Sequence, residues 1–97
     1  MTKSEQILVG LRAEKKNLEA DIRSIEADLQ HAVRQQRVFQ DRECYGDNFR
    51  RTAAEAVRFY TNALNDARFR LQYLRSRIDY VLRQREADAA LVSAYGY

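Results

Sequence analysis

The chain has no proline and no tryptophan, one cysteine, one histidine and only three glycines in 97 residues. Each shortage removes a class of answer. Strand-rich folds need turn residues at short intervals, and Gly10, Gly46 and Gly96 are too few and too far apart to supply them. Without proline, nothing removes a helical hydrogen bond from within. Cys44 on its own excludes an internal disulfide, and His31 has too few companions to build a metal site, so no metal and no cofactor is expected. No glycine-rich loop is present to cradle a phosphate, and no serine, cysteine or lysine has a base at helical spacing. The expectation is a protein without catalytic residues. No apolar run approaches the roughly 20 residues that cross a bilayer. The opening Met1-Thr-Lys-Ser-Glu-Gln lacks the apolar core of a signal peptide, so no membrane association is expected and the cytoplasm is the expected setting.

What is present is charge and aliphatic carbon in alternation. Hydrophobic residues make up 45% and charged residues 32%, too apolar a mixture for a disordered tail and well suited to amphipathic helices. The net charge is +3, and the excess is one-sided. Residues 1–44 balance eight basic against eight acidic side chains, whereas residues 45–97 set nine arginines against six acids. Between Arg68 and Arg85, six arginines face only Asp79. A stripe of that kind meets phosphate, anionic lipid or acidic protein.

Both halves carry a heptad repeat. In the first, Leu8, Lys15, Ile22, Leu29 and Gln36 occupy position a, and Leu11, Leu18, Ile25, Ala32 and Phe39 occupy position d. In the second, Val57, Leu64, Leu71 and Ile78 are a residues, and Ala53, Tyr60, Ala67, Leu74 and Val81 are d residues. Alternating spacings of three and four place each set on one stripe of a helix. Arg85 and Asp88 fill the next two core positions and weaken the seam, before Val92 and Tyr95 restore it. The expected fold is all-α, an antiparallel two-helix coiled-coil hairpin that pairs into a four-helix bundle. The whole chain, 1–97, is expected to form a single helical-hairpin domain. Helix 1 spans about 4–44 from a start at Ser4 and Glu5, and a turn covers about 45–51. Helix 2 ends near 90, followed by an apolar tail at 91–97.

Two starts fit helix 2. Gly46 can end the first helix, with Asp47 or Asn48 capping the second. Alternatively Thr52-Ala-Ala-Glu55 forms a capping box and delays the helix by a turn. The early start sets Leu11 against Ile78 and Leu8 against Val81. The late start sets Ala32 against Leu64, Ile25 against Leu71 and Leu18 against Ile78. Both keep the seam residues Leu11, Leu18, Ile22, Ile25, Leu29, Phe39, Val57, Tyr60, Leu64, Leu71, Leu74, Ile78 and Val81 between the helices.

Helix 2 has more apolar surface than a two-stranded seam uses. Phe59, Tyr73 and Tyr80 share position c, Phe69 lies beside them at f, and Ala56 and Ala63 at g connect them to the seam. Contiguous exposed aromatic side chains mark interfaces. The candidate interface comprises Phe59, Phe69, Tyr73 and Tyr80, the arginines Arg70, Arg77 and Arg83, and the terminal tyrosines Tyr95 and Tyr97. A homodimer would bury the aromatic face, and so would an unidentified protein partner. Arg68 and Arg75 at e and Arg70 and Arg77 at g flank the seam, where Glu14, Glu19, Asp21, Glu26 and Asp28 of helix 1 are expected to receive them.

The functional expectation is a non-enzymatic interaction module, a small adaptor, chaperone or inhibitor of the kind mobile elements and phages encode. A second expectation is a small basic nucleic-acid-binding protein, with arginines on phosphate and Phe69, Tyr73 and Tyr80 stacked on bases. A third is a structural assembly subunit. The plan resembles that of small secreted helical hairpins with a Trp-x-Gly turn. The turn here reads Tyr45-Gly46 and Tyr80 is followed four places on by Gln84, so no family is assigned.

Overall fold

A computed structural model describes residues 2–41 and 46–95, with the side chains of Asp41 and Tyr95 outside that description. Two α-helices account for nearly all of it: α1, Lys3–Asp41, and α2, Asp47–Tyr95. They fold back on each other as an antiparallel hairpin with extents of 78 × 18 × 14 Å. Cys44, Tyr97 and the expected end of helix 1 near 44 lie outside the described residues.

The first helix begins earlier than Ser4. Thr2 is its cap: Glu5 N donates to Thr2 Oγ1 at 3.2 Å, and Thr2 N donates to Glu5 Oε2 at 3.2 Å. This reciprocal pair satisfies two amides that the first turn leaves without helical partners. The second Thr-x-x-Glu sequence behaves differently. Thr52 lies inside α2, where its hydroxyl donates back to the Asn48 carbonyl at 2.8 Å. The early start is the one adopted, and the Gly46 carbonyl accepts the first α2 amides from Phe49 (3.2 Å) and Arg50 (3.5 Å).

That start settles the register. Leu8, Ile78 and Val81 form one buried cluster, with Leu11 and Leu82 packed on it. Ile22, Leu64 and Ala67 form a second, flanked by Leu18, Ile25, Leu29 and Leu71. Leu8 is the most enclosed large side chain, at 2% exposure. Between the clusters sits Lys15, half-buried, whose four-carbon stem can run along the seam while its ammonium reaches water. Leu74 is also buried, and Phe39, Val57 and Tyr60 are half-buried.

The C-terminal portion departs from expectation. Helix 2 does not stop near 90 but continues to Tyr95, so most of the expected tail is helical. Val92 does not restore the seam either. With Leu8 level with Val81, helix 1 has run out by the level of residue 88, and residues 83–94 are all exposed. Arg85 stands just past the packed seam and reaches Glu5 at 3.8 Å. The polar core positions therefore fall where no partner helix requires them to be apolar.

Candidate interaction face

An antiparallel seam divides a hairpin into two flat sides. Positions g and c of both helices line one side, and positions e and b line the other. The local contacts follow this division. One groove on the g/c side is lined by Glu14, Asn17, Asp21, Arg70 and Tyr73, and the next by Asp21, Ala63, Asp66 and Arg70. A third, nearer the turn, is lined by Gln35, Phe39, Phe49, Thr52 and Ala56. The e/b side carries the ion pairs: Arg68 lies 3.5 Å from Glu26, and Arg85 reaches Glu5 at the rim.

The two sides differ in kind. Of the ten large hydrophobic side chains that are exposed among the described residues, seven fall on the g/c side: Ile7, Val38, Phe49, Phe59, Tyr73, Tyr80 and Leu91. Only Val9 lies on the e/b side. The charges sort the opposite way. Positions e and b hold eight basic residues (Arg12, Lys16, Arg23, Arg37, Arg51, Arg58, Arg68 and Arg75) against six acidic ones. Positions g and c hold Lys3, Arg70 and Arg77 against Glu14, Asp21, Asp28 and Asp66.

The expected interface residues are thus only partly brought together. Phe59, Tyr73 and Tyr80 lie in one row, 67%, 60% and 56% exposed, with Arg70 and Arg77 beside them. Phe59 is braced by its neighbour Tyr60, whose ring meets it edge-on at 5.3 Å. Phe69, at 74% exposure, and Arg83 occupy position f on the outer edge of α2, turned away from helix 1. Tyr95 contributes only its backbone to the described structure, as the last residue of α2.

The expected bridges from arginine to helix 1 are mostly not made. Among the described residues, Arg68 alone of the four flanking arginines has a carboxylate within 4 Å, and Arg70, Arg75 and Arg77 have none. The two pairs that form are 41–58% exposed, where such pairs contribute about 0–1 kcal/mol. His31 is exposed at position c, and among the described residues no group of three His, Cys, Asp or Glu side chains is placed to hold a metal. No helix is long and apolar enough to cross a membrane, among the described residues.

Helix 1's share of the face includes Ile7 and Val38, which are not among the expected interface residues, and Glu14 and Asp21, which are expected as arginine partners and line its grooves instead. The signal was available: once the hairpin is antiparallel, g on one helix lies beside g on the other. No protein-family model matches the chain, and no curated protein or solved structure is significantly similar to it.

Proposed function

We propose that the chain is a non-enzymatic protein-interaction module whose working surface is the g/c side of the hairpin, in the cytoplasm. One observation carries this reading: among the described residues, seven of the ten exposed large hydrophobic side chains lie along that single side. Random scatter of surface apolar residues needs no explanation, but their concentration on one side does. The row is anchored by tyrosine and phenylalanine with arginine beside them, the residue types enriched at protein interfaces.

The nucleic-acid reading has less support. It needs arginines to hold phosphates where the aromatics stack bases. Here the e/b side holds eight basic residues, whereas the side with most of the exposed aromatics holds three, and there four acids outnumber those three bases. The grooves beside Tyr73 are lined by Glu14, Asp21 and Asp66, which would repel a phosphate backbone.

Photo-crosslinking tests the proposal. A photoreactive amino acid at Tyr73 should give protein adducts in the expressing cell, and the same group at Gln72, on the charged side, should give few. Nucleic-acid adducts from either position, or equal yields from both, would overturn the reading.

A further inference from the structure

We infer that the partner on the g/c side is a second copy of this chain, seated with the two hairpins parallel and both turns at the same end. This rests on the reading of that side as a protein interface. The two-helix part of the side runs the length of α1, 39 residues or about 58 Å at 1.5 Å per residue, and with a width of 18 Å it projects to roughly 1,000 Å². A stable interface needs about 800 Å² from each partner, so the face is large enough for a pair of identical hairpins.

Charge decides the orientation. Two identical flat faces meet about a two-fold axis lying in the interface. If the axis runs across the hairpins, they are antiparallel, and helix 1 covers helix 1 while helix 2 covers helix 2. Beyond Lys3 at its tip, the g and c positions of helix 1 carry only Glu14, Asp21 and Asp28 as formal charges. Centred near Asp21, where the two copies of helix 1 overlap most fully, that arrangement sets a row of carboxylates against another row of carboxylates and Arg70 against its own copy, and a slide large enough to part them uncovers much of the face. Juxtaposing like charges in an interface is strongly unfavourable.

If the axis runs along the hairpins, helix 1 covers the partner's helix 2 at the same level. Asp21 shares its groove with Arg70, so the two are level within one hairpin, and the same level is kept across the axis. One heptad away, Glu14 is level with Arg77 in the same manner. Each copy then offers two carboxylates to two arginines of the other, and none of these four has an ion pair within 4 Å among the described residues. Size agrees with charge. At position c, Gly10 and Asn17 of helix 1 come level with Tyr80 and Tyr73 of helix 2, small residues against large ones, while His31 comes level with Phe59. An added Cβ at Gly10 would meet nothing within 4 Å, so the single hairpin leaves that spot open.

The orientation is readable through the native cysteine. Cys44 is the only cysteine and lies in the segment between Asp41 and Gly46 that joins the helices. A nitroxide on Cys44 of the full chain reports the turn-to-turn distance by pulsed dipolar spectroscopy, and sedimentation equilibrium gives the mass. The expected result is a dimer with a distance under about 30 Å, the width of a bundle of helices about 10–12 Å thick. Antiparallel hairpins centred on Asp21 would place the turns about 70 Å apart at 1.5 Å per residue. A dimer with that long distance would overturn the parallel seating and leave the interface where it is. A monomer at all concentrations up to the solubility limit would overturn the second copy and return the face to a different protein. A dimer that survives Tyr73→Glu with Tyr80→Glu at unchanged distance would overturn the face itself. Should the label at Cys44 disturb the turn, Arg51→Cys in a Cys44→Ser background reads the same end of the hairpin. A charge reversal adds an independent readout. Arg70→Glu with Arg77→Glu should weaken the dimer at least about tenfold, and Glu14→Arg with Asp21→Arg in the same chain should restore it. Failure of the restoration counts against the parallel pairing.

Discussion

The two flat sides of the hairpin grow from the same helices and share one seam, yet they are chemically unlike. On the g/c side, the rings of Phe59, Tyr73 and Tyr80 stand more than half exposed beside Ile7, Val38 and Leu91. On the e/b side, the same helices present arginines, Lys16 and glutamines, with Val9 the single large exposed apolar side chain among the described residues. A hairpin needs only its a and d residues to fold. Phe49 packs on the seam residue Phe39 near the turn, but Phe59, Tyr73 and Tyr80 stand outside the a and d positions, and their confinement to one side is what the proposed interface rests on. The charged side has the ordinary composition of helix turned to water.

The largest expected effect that sharpens this contrast comes from adding the same charge to each side. Tyr73→Glu with Tyr80→Glu should weaken self-association at least about a hundredfold, because it forces two carboxylates into a desolvated aromatic contact. Asn65→Glu with Gln72→Glu, on the charged side, should change it less than about twofold, as expected of charges that stay solvated. Analytical ultracentrifugation of both pairs checks this, and equal effects would erase the distinction between the sides. Both pairs should keep the helical circular dichroism of the parent, since none of the four positions is in the seam.

A much smaller effect is expected from the ion pair that marks the charged side. Glu26→Gln removes the partner of Arg68, and with both side chains about half exposed the loss should stay within about 0.5 kcal/mol. Thermal unfolding should therefore move by only a few degrees at most. A larger shift would mean that the charged side also stabilises the fold, and the division of labour would fail there.

The helices themselves were legible in the sequence. Leucine and isoleucine every three and four residues determine which stripe each helix buries, and that much follows from 3.6 residues per turn. The register was not, because an antiparallel seam accepts a slip of one heptad without moving an apolar residue out of line. Two copies of one motif show why local pattern was insufficient. Thr2-x-x-Glu5 caps a helix and Thr52-x-x-Glu55 does not, although both offer the same side chains at the same spacing. With the helix already begun at Asp47, the Thr52 amide has a helical partner, and its hydroxyl turns back to Asn48. Starting at Asp47 also brings Phe49 within 5.7 Å of Phe39, ring centre to ring centre, and Leu8 onto Val81. Long-range packing chose the start.

The face was half legible for a related reason. Phe59, Tyr73 and Tyr80 declare themselves at position c of one helix, but the company they keep is a property of two helices in register. The arginines between Arg68 and Arg85 read as one stripe along the chain. In space they divide, with Arg68 and Arg75 on the charged side, Arg70 and Arg77 on the aromatic side and Arg83 on the outer edge. Sequence proximity merged what a rotation of about 100° per residue separates.

The claim that the aromatic side is covered in the working protein is tested most directly by hydroxyl-radical footprinting. The protein would be labelled in the expressing cell and, for comparison, purified at high dilution. The account predicts that Phe59, Tyr73 and Tyr80 lose most of their reactivity in the cell while Val9, equally exposed on the other side, keeps its own. Undiminished reactivity of Tyr73 and Tyr80 in the cell, or protection no greater than that of Val9, would contradict it.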